Sequence, residues 1–542
     1  MYPYSAADIA RICSGTVVAG NDAAVASSCF VDSRKTIADS LFAAFIGQEV
    51  DGHAYIEVAA SKGATIILAS RTDIDYVKIA DRCATVIVDD VLRALQDLAG
   101  HQRNQMNCSV IGITGSSGKT STKELLLGAL QSSVSVLDSG LESDLRSGVQ
   151  NSKIIATQDN YNNELGVPLT LLRADEKTEI LIVEMGMRGL GQITELANIA
   201  RPTMGIITTI GDAHIEMLGS RENIARAKGE LFEFLDADQF AFMPADTDYA
   251  DYLSSITKAV LIKTLVEDLD EVRQSSVLAP TAEQHLQAMV SCSAEIISYD
   301  EQGSATALVK LPFVAASSNL DSEINSESAQ YLMNLQMPGK HSVSNALLAL
   351  AVTQVMGFDA AAAIRGLEAV QPAEMRMQRC QVTKIPNVEK VNIIVDCYNA
   401  NPESTTASLN TLSVSQLADA KLGKRIAVLG DMLEMGEHSA RAHKEILLLA
   451  GMLKIDLVYA FGTAYEIATA DVLSELSTGR SLENIPEIRA FTDIDLLIDN
   501  LISVLTSGSL VLIKGSRGMQ MERITDALSD PVIDPDGGKH RC

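Results

Sequence analysis

The sequence predicts an α/β protein of three domains, and three observations carry that expectation. Short apolar runs of strand length alternate with helix-period segments along most of the chain, and this pattern restarts twice. A chain of 542 residues also exceeds what one core fills, at roughly 100–200 residues per domain. Near-continuous apolar strands alternating with helices indicate parallel sheets covered on both faces. The expected units are 1–106, 107–379 and 380–542.

In the first unit, strand-like runs lie at Leu41–Ile46, Ala64–Ala69 and Ala84–Val88, with helical patterns between them. The second unit opens at Ser109 with an apolar strand, followed by a helix over Ser121–Leu130, a strand over Thr178–Glu184, a helix over Gly191–Ala200 and a strand over Met204–Thr209. The third opens near Cys380, with strands at Val391–Val395, Arg425–Leu429, Leu457–Phe461 and Ser509–Ile513. Ser132–Lys153, rich in Ser, Gly and Asp, and Ala315–Gln330, rich in Ser, Asn and acids, read as surface loops. The tail Asp530–Cys542 is expected to fray, and no solenoid-type repeat is present.

Composition excludes several classes of function. A net charge of −27 with no Lys/Arg-rich run argues against nucleic-acid binding, which depends on cations facing phosphates. The N-terminus lacks a basic segment followed by an apolar core, and no apolar run approaches the ~20 residues of a membrane span. The eight cysteines form no Cys-x-x-Cys pair and no zinc-finger cluster, so reduced thiols in a cytoplasmic protein are expected.

The strongest local signal is Val110–Thr122, an apolar strand running through a glycine-rich turn into a helix. Gly115 and Gly118 let the backbone approach phosphates, and Ser116, Ser117 and Ser121 flank the helix start with its free N–H groups. Lys119 would neutralise phosphate charge, and Thr120 would offer a hydroxyl to Mg2+. Gly115 stands only three residues before Gly118, closer than in the standard phosphate loop, and position 113 is Ile. In parallel α/β sheets ligands collect at the carboxyl ends of strands. Glu184 and the loop Gly211–His214 occupy such ends and should converge with the phosphate loop.

Other residues look ordinary on local grounds. Lys228 reads by spacing as a surface lysine on a helix where Glu222, Arg226 and Glu230 could form solvated i,i+4 pairs. His214 reads as a loop histidine, the Asn-rich segment Asn160–Thr170 as a turn, and Pro338–Ala346 as a capped helix start.

Thr114-Gly-Ser-Ser-Gly-Lys-Thr120 resembles the nucleotide loop of the Mur ligases and their folylpolyglutamate synthetase relatives, and further matches follow in order along the chain. Asn160–Thr170, Asp396–Pro402, Leu429–Gly436 and Val511–Arg517 resemble segments of the branch that adds D-alanyl-D-alanine. Val31–Lys35, Gly47 and Asp51–His53 are similar to the uridine-nucleotide domain of the tripeptide- and pentapeptide-forming members. The resemblance implies an N-terminal UDP-binding domain, a central P-loop ATPase domain and a Rossmann-like C-terminal domain.

It also implies roles. Thr120, Glu184, His214 and a carbamylated Lys228 would hold Mg2+, because a hard cation accepts carboxylate-like oxygens and rejects an ammonium. Lys119, Lys228 and His214 would serve the chemistry. Asn345 would read adenine, Arg376 would reach the ATP phosphates and Asp396 the ribose. Ser33 and Arg34 would contact UDP, and Asn160, Asn162, Asn163, Tyr398 and Asn399 the substrates. Lys514, Ser516 and Arg517 would recognise the carboxylate of the incoming dipeptide. The implied reaction joins D-alanyl-D-alanine to UDP-N-acetylmuramoyl-tripeptide through an acyl phosphate, by a monomer without nucleic-acid partners. Alternatives are the ligase that adds the third amino acid or a folate polyglutamylase, against which the Asn160 and Asp396 loops argue. A scaffold that binds ATP without ligation would instead turn ATP over slowly, whatever the peptide.

Overall fold

Each stretch in which the strand–helix alternation restarts is organised by a large sheet of its own. The computed structural model describes residues 1–47, 50–139, 153–268, 292–300, 303–311, 329–386, 388–477, 485–533 and 539–540. The N-terminal sheet runs in the order Thr16–Ala19, Ala84–Ile87, Ala64–Ala69, Ser40–Ala43, Ser28–Phe30. Only Thr16–Ala19 is antiparallel to its neighbour.

Among the described residues the central sheet has nine strands. Ile154–Ala156, Ile180–Glu184, Ser109–Thr114, Met204–Ile207, Phe240–Pro244, Val260–Asp268 and Cys292–Tyr299 lie side by side and parallel. Ser304–Leu311 and Ala329–Pro338 then extend it antiparallel, an extension the sequence pattern did not announce. Burial along these last strands alternates, as in a sheet with one wet face, so they lack the continuous apolar runs of the parallel core. The helix Lys340–Val355 is buried along most of its length because it lies between that sheet and other helices.

The C-terminal sheet runs Gln378–Gln381, Asn392–Asp396, Leu510–Lys514, Arg425–Gly430, Leu457–Phe461, Glu487–Phe491, parallel except for the first strand.

Several local expectations are overturned. The helix after the phosphate loop continues to Ser139 rather than stopping at Leu130, so the expected loop from Ser132 begins as helix. Ser132, Ser133 and Val134 are buried. The Ser133 hydroxyl donates to the Ala129 carbonyl at 2.8 Å, so serine is satisfied within the helix and does not break it. Residues 140–152 and 315–328 of the two expected loops lie outside the described residues, while Ala329–Gln330 open a strand. In the tail, Val532–Ile533 pairs antiparallel with Lys539–His540 instead of fraying. Cys380 is disulfide-bonded, against the expectation of thiols throughout, whereas Cys13, Cys29, Cys83, Cys108, Cys292 and Cys397 are free. Among the described residues no helix is long and apolar enough to cross a membrane.

Candidate functional site

Sheet register brings the chemistry together. Glu184 pairs with Ile113 and Ile207 with Thr114 on adjacent parallel strands, so the phosphate loop, Glu184 and the segment after Ile207 leave the sheet side by side. They open into a cleft of about 1720 Å³, also lined by the C-terminal segment around Tyr398–Glu403.

The phosphate loop is clasped by two residues the sequence reading did not single out, Thr208 and Thr209. Ser117 N–H donates to Thr209 Oγ1 at 3.0 Å, Ser116 N–H to the Thr209 carbonyl at 2.9 Å, and Thr208 Oγ1 donates to the Ser117 carbonyl. A signal existed: two threonines end an apolar strand of a parallel sheet, where ligand-facing residues gather. Gly115 (φ +152°) and Gly118 (φ +81°) occupy backbone regions that side chains disfavour. A Cβ on Gly118 would lie 2.8 Å from Asn345 Oδ1, so the expected adenine residue packs directly on the loop. Ser116 through Ser121 line the cleft, and Gly115 is not among its lining residues.

Lys119 Nζ donates to the Gly115 carbonyl at 2.7 Å. Burial lowers its pKa, with Arg376 assisting and Glu184 opposing. Thr120 Oγ1 donates to Glu184 Oε2 at 3.0 Å, and Asn162 Nδ2 donates to Glu184 Oε1 at 2.8 Å. Asn160, Asn162 and Asn163 all line the cleft. Asn163 also keeps the local role expected of an Asn-rich turn, since its Oδ1 accepts the Gly166 N–H at 3.0 Å.

His214 lines the cleft in left-handed backbone, φ +65°. Its Nδ1 lies 2.8 Å from Glu434 Oε2 of the C-terminal domain. Burial lowers its pKa, followed by the charges of Lys119 and Lys228. A neutral imidazole whose Nδ1 faces a carboxylate carries its proton there, leaving the Nε2 lone pair available.

Lys228 is not the surface residue its spacing suggests. It is 2% exposed and is not among the residues lining the cleft, its pKa driven far below the usual lysine value by burial, then by Lys119, with Glu403 opposing. Glu230 does not complete the expected solvated pair with Arg226. Its carboxylate accepts the Gly191 and Thr194 N–H groups at 2.6 and 2.9 Å, because the start of the helix Gln192–Ala200 offers unpaired donors nearby.

On the C-terminal side, Arg376 stacks over the Tyr398 ring at 3.9 Å, and both line the cleft. Lys514 Nζ lies 2.8 Å from Asp396 Oδ2 and donates to the Asn399 carbonyl at 2.7 Å. Burial pushes the Asp396 carboxyl up, but Lys514 and the Ser408 hydroxyl outweigh it and hold the pKa below the usual value. Asp396, Asn399 and Lys514 line the cleft. Ser516 and Arg517 are not among its lining residues: Ser516 Oγ accepts the Leu433 N–H, and Arg517 pairs with Glu522 at 2.8 Å. Ser33 and Arg34 lie apart in the N-terminal sheet region, with Ser33 buried and Arg34 exposed and paired with Asp32 at 2.9 Å.

Thr120 and Glu184 offer hard oxygen donors of the kind Mg2+ prefers. No cluster of three or more His, Cys, Asp or Glu side chains suited to a metal occurs among the described residues. That donor set fits an ion that takes its remaining ligands from phosphates and water.

Comparison with known proteins agrees with this architecture. Residues 27–103 match the model of the Mur ligase family catalytic domain, 113–353 the Mur ligase middle domain and 375–517 the Mur ligase glutamate ligase domain. The UDP-N-acetylmuramoyl-tripeptide–D-alanyl-D-alanine ligase of Mycobacterium tuberculosis (strain CDC 1551 / Oshkosh) is 30% identical, over 97% of this chain and 98% of its own. The protein of that name from Bacillus subtilis (strain 168) is 28% identical, over 92% and 93%. Among solved structures, MurF from Acinetobacter baumannii superposes with a TM-score of 0.75 at 24% identity, covering 97% of this chain and 98% of its own. MurF ligase from Thermotoga maritima in complex with ADP gives 0.67 at 24% identity, covering 92% and 96%.

Proposed function

The chain belongs to the Mur ligase family, and from that premise we propose that it uses ATP to join D-alanyl-D-alanine to UDP-N-acetylmuramoyl-tripeptide, the amide bond that completes a peptidoglycan precursor's pentapeptide. The observation that carries this reading is the convergence of the phosphate loop, Glu184 and the C-terminal Tyr398–Glu403 segment on one cleft. Relatives bearing that activity in their names match nearly the whole chain, which supports extending it to this protein.

The chemistry must overcome two difficulties. A carboxylate is a poor acyl donor, and it has to approach the equally anionic γ-phosphate of ATP. In the proposed reaction the tripeptide's terminal carboxylate attacks that phosphate, forming an acyl phosphate and releasing ADP. The amine of the dipeptide then attacks the carbonyl and expels phosphate. Lys119 and the loop N–H groups would offset the phosphate charge. Mg2+, held through Thr120, Glu184, His214 and a carbamylated Lys228, would supply further charge neutralisation when bound.

Carbamylation requires an uncharged amine to attack CO2, and the depressed pKa of Lys228 supports that role. Arg376, stacked on Tyr398, is poised to reach phosphate from the C-terminal side, and Asn345 and Asp396 would hold adenine and ribose. The three domains, taken as about 1–106, 107–379 and 380–542, would hold UDP, hold ATP and close over both, keeping water from the acyl phosphate.

The test is phosphate release from ATP by purified protein with UDP-tripeptide, with and without D-alanyl-D-alanine. Release that requires the dipeptide is expected; release indifferent to it would overturn the assignment.

A further inference from the structure

Nothing in the residue pattern singles out Glu403. It follows Asn401, the cap, and Pro402 at the start of the helix Pro402–Val414 in the C-terminal domain. Its side chain crosses to the central domain, where Oε1 accepts the Asp212 N–H at 2.7 Å. The approach is so close that a Cβ on Gly211 would lie 2.2 Å from the carboxylate carbon, so the contact requires glycine there. The second oxygen, Oε2, is buried and has no hydrogen-bond partner.

A desolvated carboxylate oxygen without a donor is costly, and such groups concentrate where a ligand completes them. Of the other acids lining the cleft, Glu164, Glu195 and Asp246 are exposed to solvent and the rest are already engaged. Glu184 is held by Thr120 and Asn162, Asp396 by Lys514 and Ser408, and Asp248 by Arg221. Asp268 accepts from the Tyr299 hydroxyl. On the ligase reading, on which this inference rests, the reacting groups are carboxylate and phosphate anions apart from the α-ammonium of the dipeptide.

We propose that Glu403 forms the subsite for the α-ammonium of the incoming D-alanyl-D-alanine, with Oε2 accepting an N–H and then a proton. The ammonium gives one proton to Glu403, and the freed lone pair forms the N–C bond to the acyl-phosphate carbonyl. The C–O bond to phosphate breaks with its electron pair on the phosphate oxygen, and the departing phosphate takes the second proton from nitrogen. Burial, then the Asp212 charge, push the Glu403 carboxyl up to about 7, with Arg221 opposing and Lys228 also within electrostatic reach. A base near the working pH suits this transfer.

Glu403→Gln keeps an acceptor for the Asp212 N–H but removes the charge and replaces the second acceptor oxygen by an amide NH2. Its KM for D-alanyl-D-alanine should rise at least about tenfold, while KM for ATP and UDP-tripeptide and the hydroxylamine-trapped yield of acyl phosphate stay at wild-type values. Glu403→Asp should give an intermediate rise. The desamino analogue N-propionyl-D-alanine, which lacks the ammonium, should inhibit both variants and wild type equally. A dipeptide KM within twofold of wild type in both variants, or an equal rise in all three KM values, would overturn the subsite and leave Glu403 a structural contact. If wild-type phosphate release is itself indifferent to the dipeptide, the ligase reading fails, and the subsite with it.

Discussion

A lysine buried to 2% exposure, with no acid within ion-pairing distance among the described residues, is expensive to keep charged. Burial therefore favours the neutral amine of Lys228, the form that the proposed carbamylation requires. Lys228→Ala should therefore lower ligation at least about 100-fold and be partly restored by added formate or acetate, as measured by phosphate release. Full activity without rescue would remove Lys228 from the mechanism. Lys119→Ala should abolish ligation, a loss of about 10³-fold or more in kcat, since the anionic reactants then lose their fixed cation. Gly118→Ala combines a left-handed backbone (φ +81°) with a clash against Asn345. It should weaken ATP binding about tenfold or more, as read by calorimetric titration.

Glu403 supplies a pH dependence whose sign follows from its raised pKa. The folded state holds this proton up to about 7, whereas the unfolded chain releases it near the ordinary glutamate value. Folding stability of the ligand-free protein should thus fall as pH rises from about 4.5 towards 7. Glu403→Gln should remove that part of the slope in urea unfolding followed across this range.

At the scale of elements, segments matched as motifs divide into those that meet the cleft and those that build its walls. In Leu429–Gly436, Asp431 accepts the Ala464 and Tyr465 N–H groups and so caps the helix Thr463–Ser477. His443, fully buried, accepts the Met432 N–H at 2.9 Å. The same segment thereby aims Glu434 at His214. Glu230 does comparable work between helices: Glu230→Ala should cost about 1 kcal/mol of stability by urea unfolding while leaving every KM unchanged. The strand–helix order of the parallel sheets was legible because buried strands read as apolar runs. The antiparallel strands Ser304–Leu311 and Ala329–Pro338 were not, since buried residues alternate with less buried ones along them instead of forming an apolar run. The Ser-rich end of the helix Lys119–Ser139 was misread because serine's loop preference yields once its hydroxyl bonds the preceding turn.

At the scale of the whole molecule, Glu403 and Glu434 are carboxylates that reach between the central and C-terminal domains, Glu403 to the Asp212 N–H and Glu434 to His214. Contacts of this kind bias a hinge between open and closed arrangements. Glu434→Ala should lower kcat on the order of tenfold through rarer closure, with a small rise in the radius of gyration of the nucleotide-bound protein by X-ray scattering. Unchanged kcat and dimensions would mean the contact follows closure without favouring it.

By itself the sequence determined the α/β alternation, the phosphate loop with its short glycine spacing, and the ordered segments that mark the family. These are local patterns of polarity and turn chemistry that need no distant partner. Only the tertiary structure decided that Lys228 is buried, that Thr208 and Thr209 clasp the loop, that Lys514 pairs with Asp396, and that Glu403 crosses between domains. Each depends on residues tens to hundreds of positions apart meeting where water is excluded. Burial sets a side chain's charge and partners, and no window of sequence contains it.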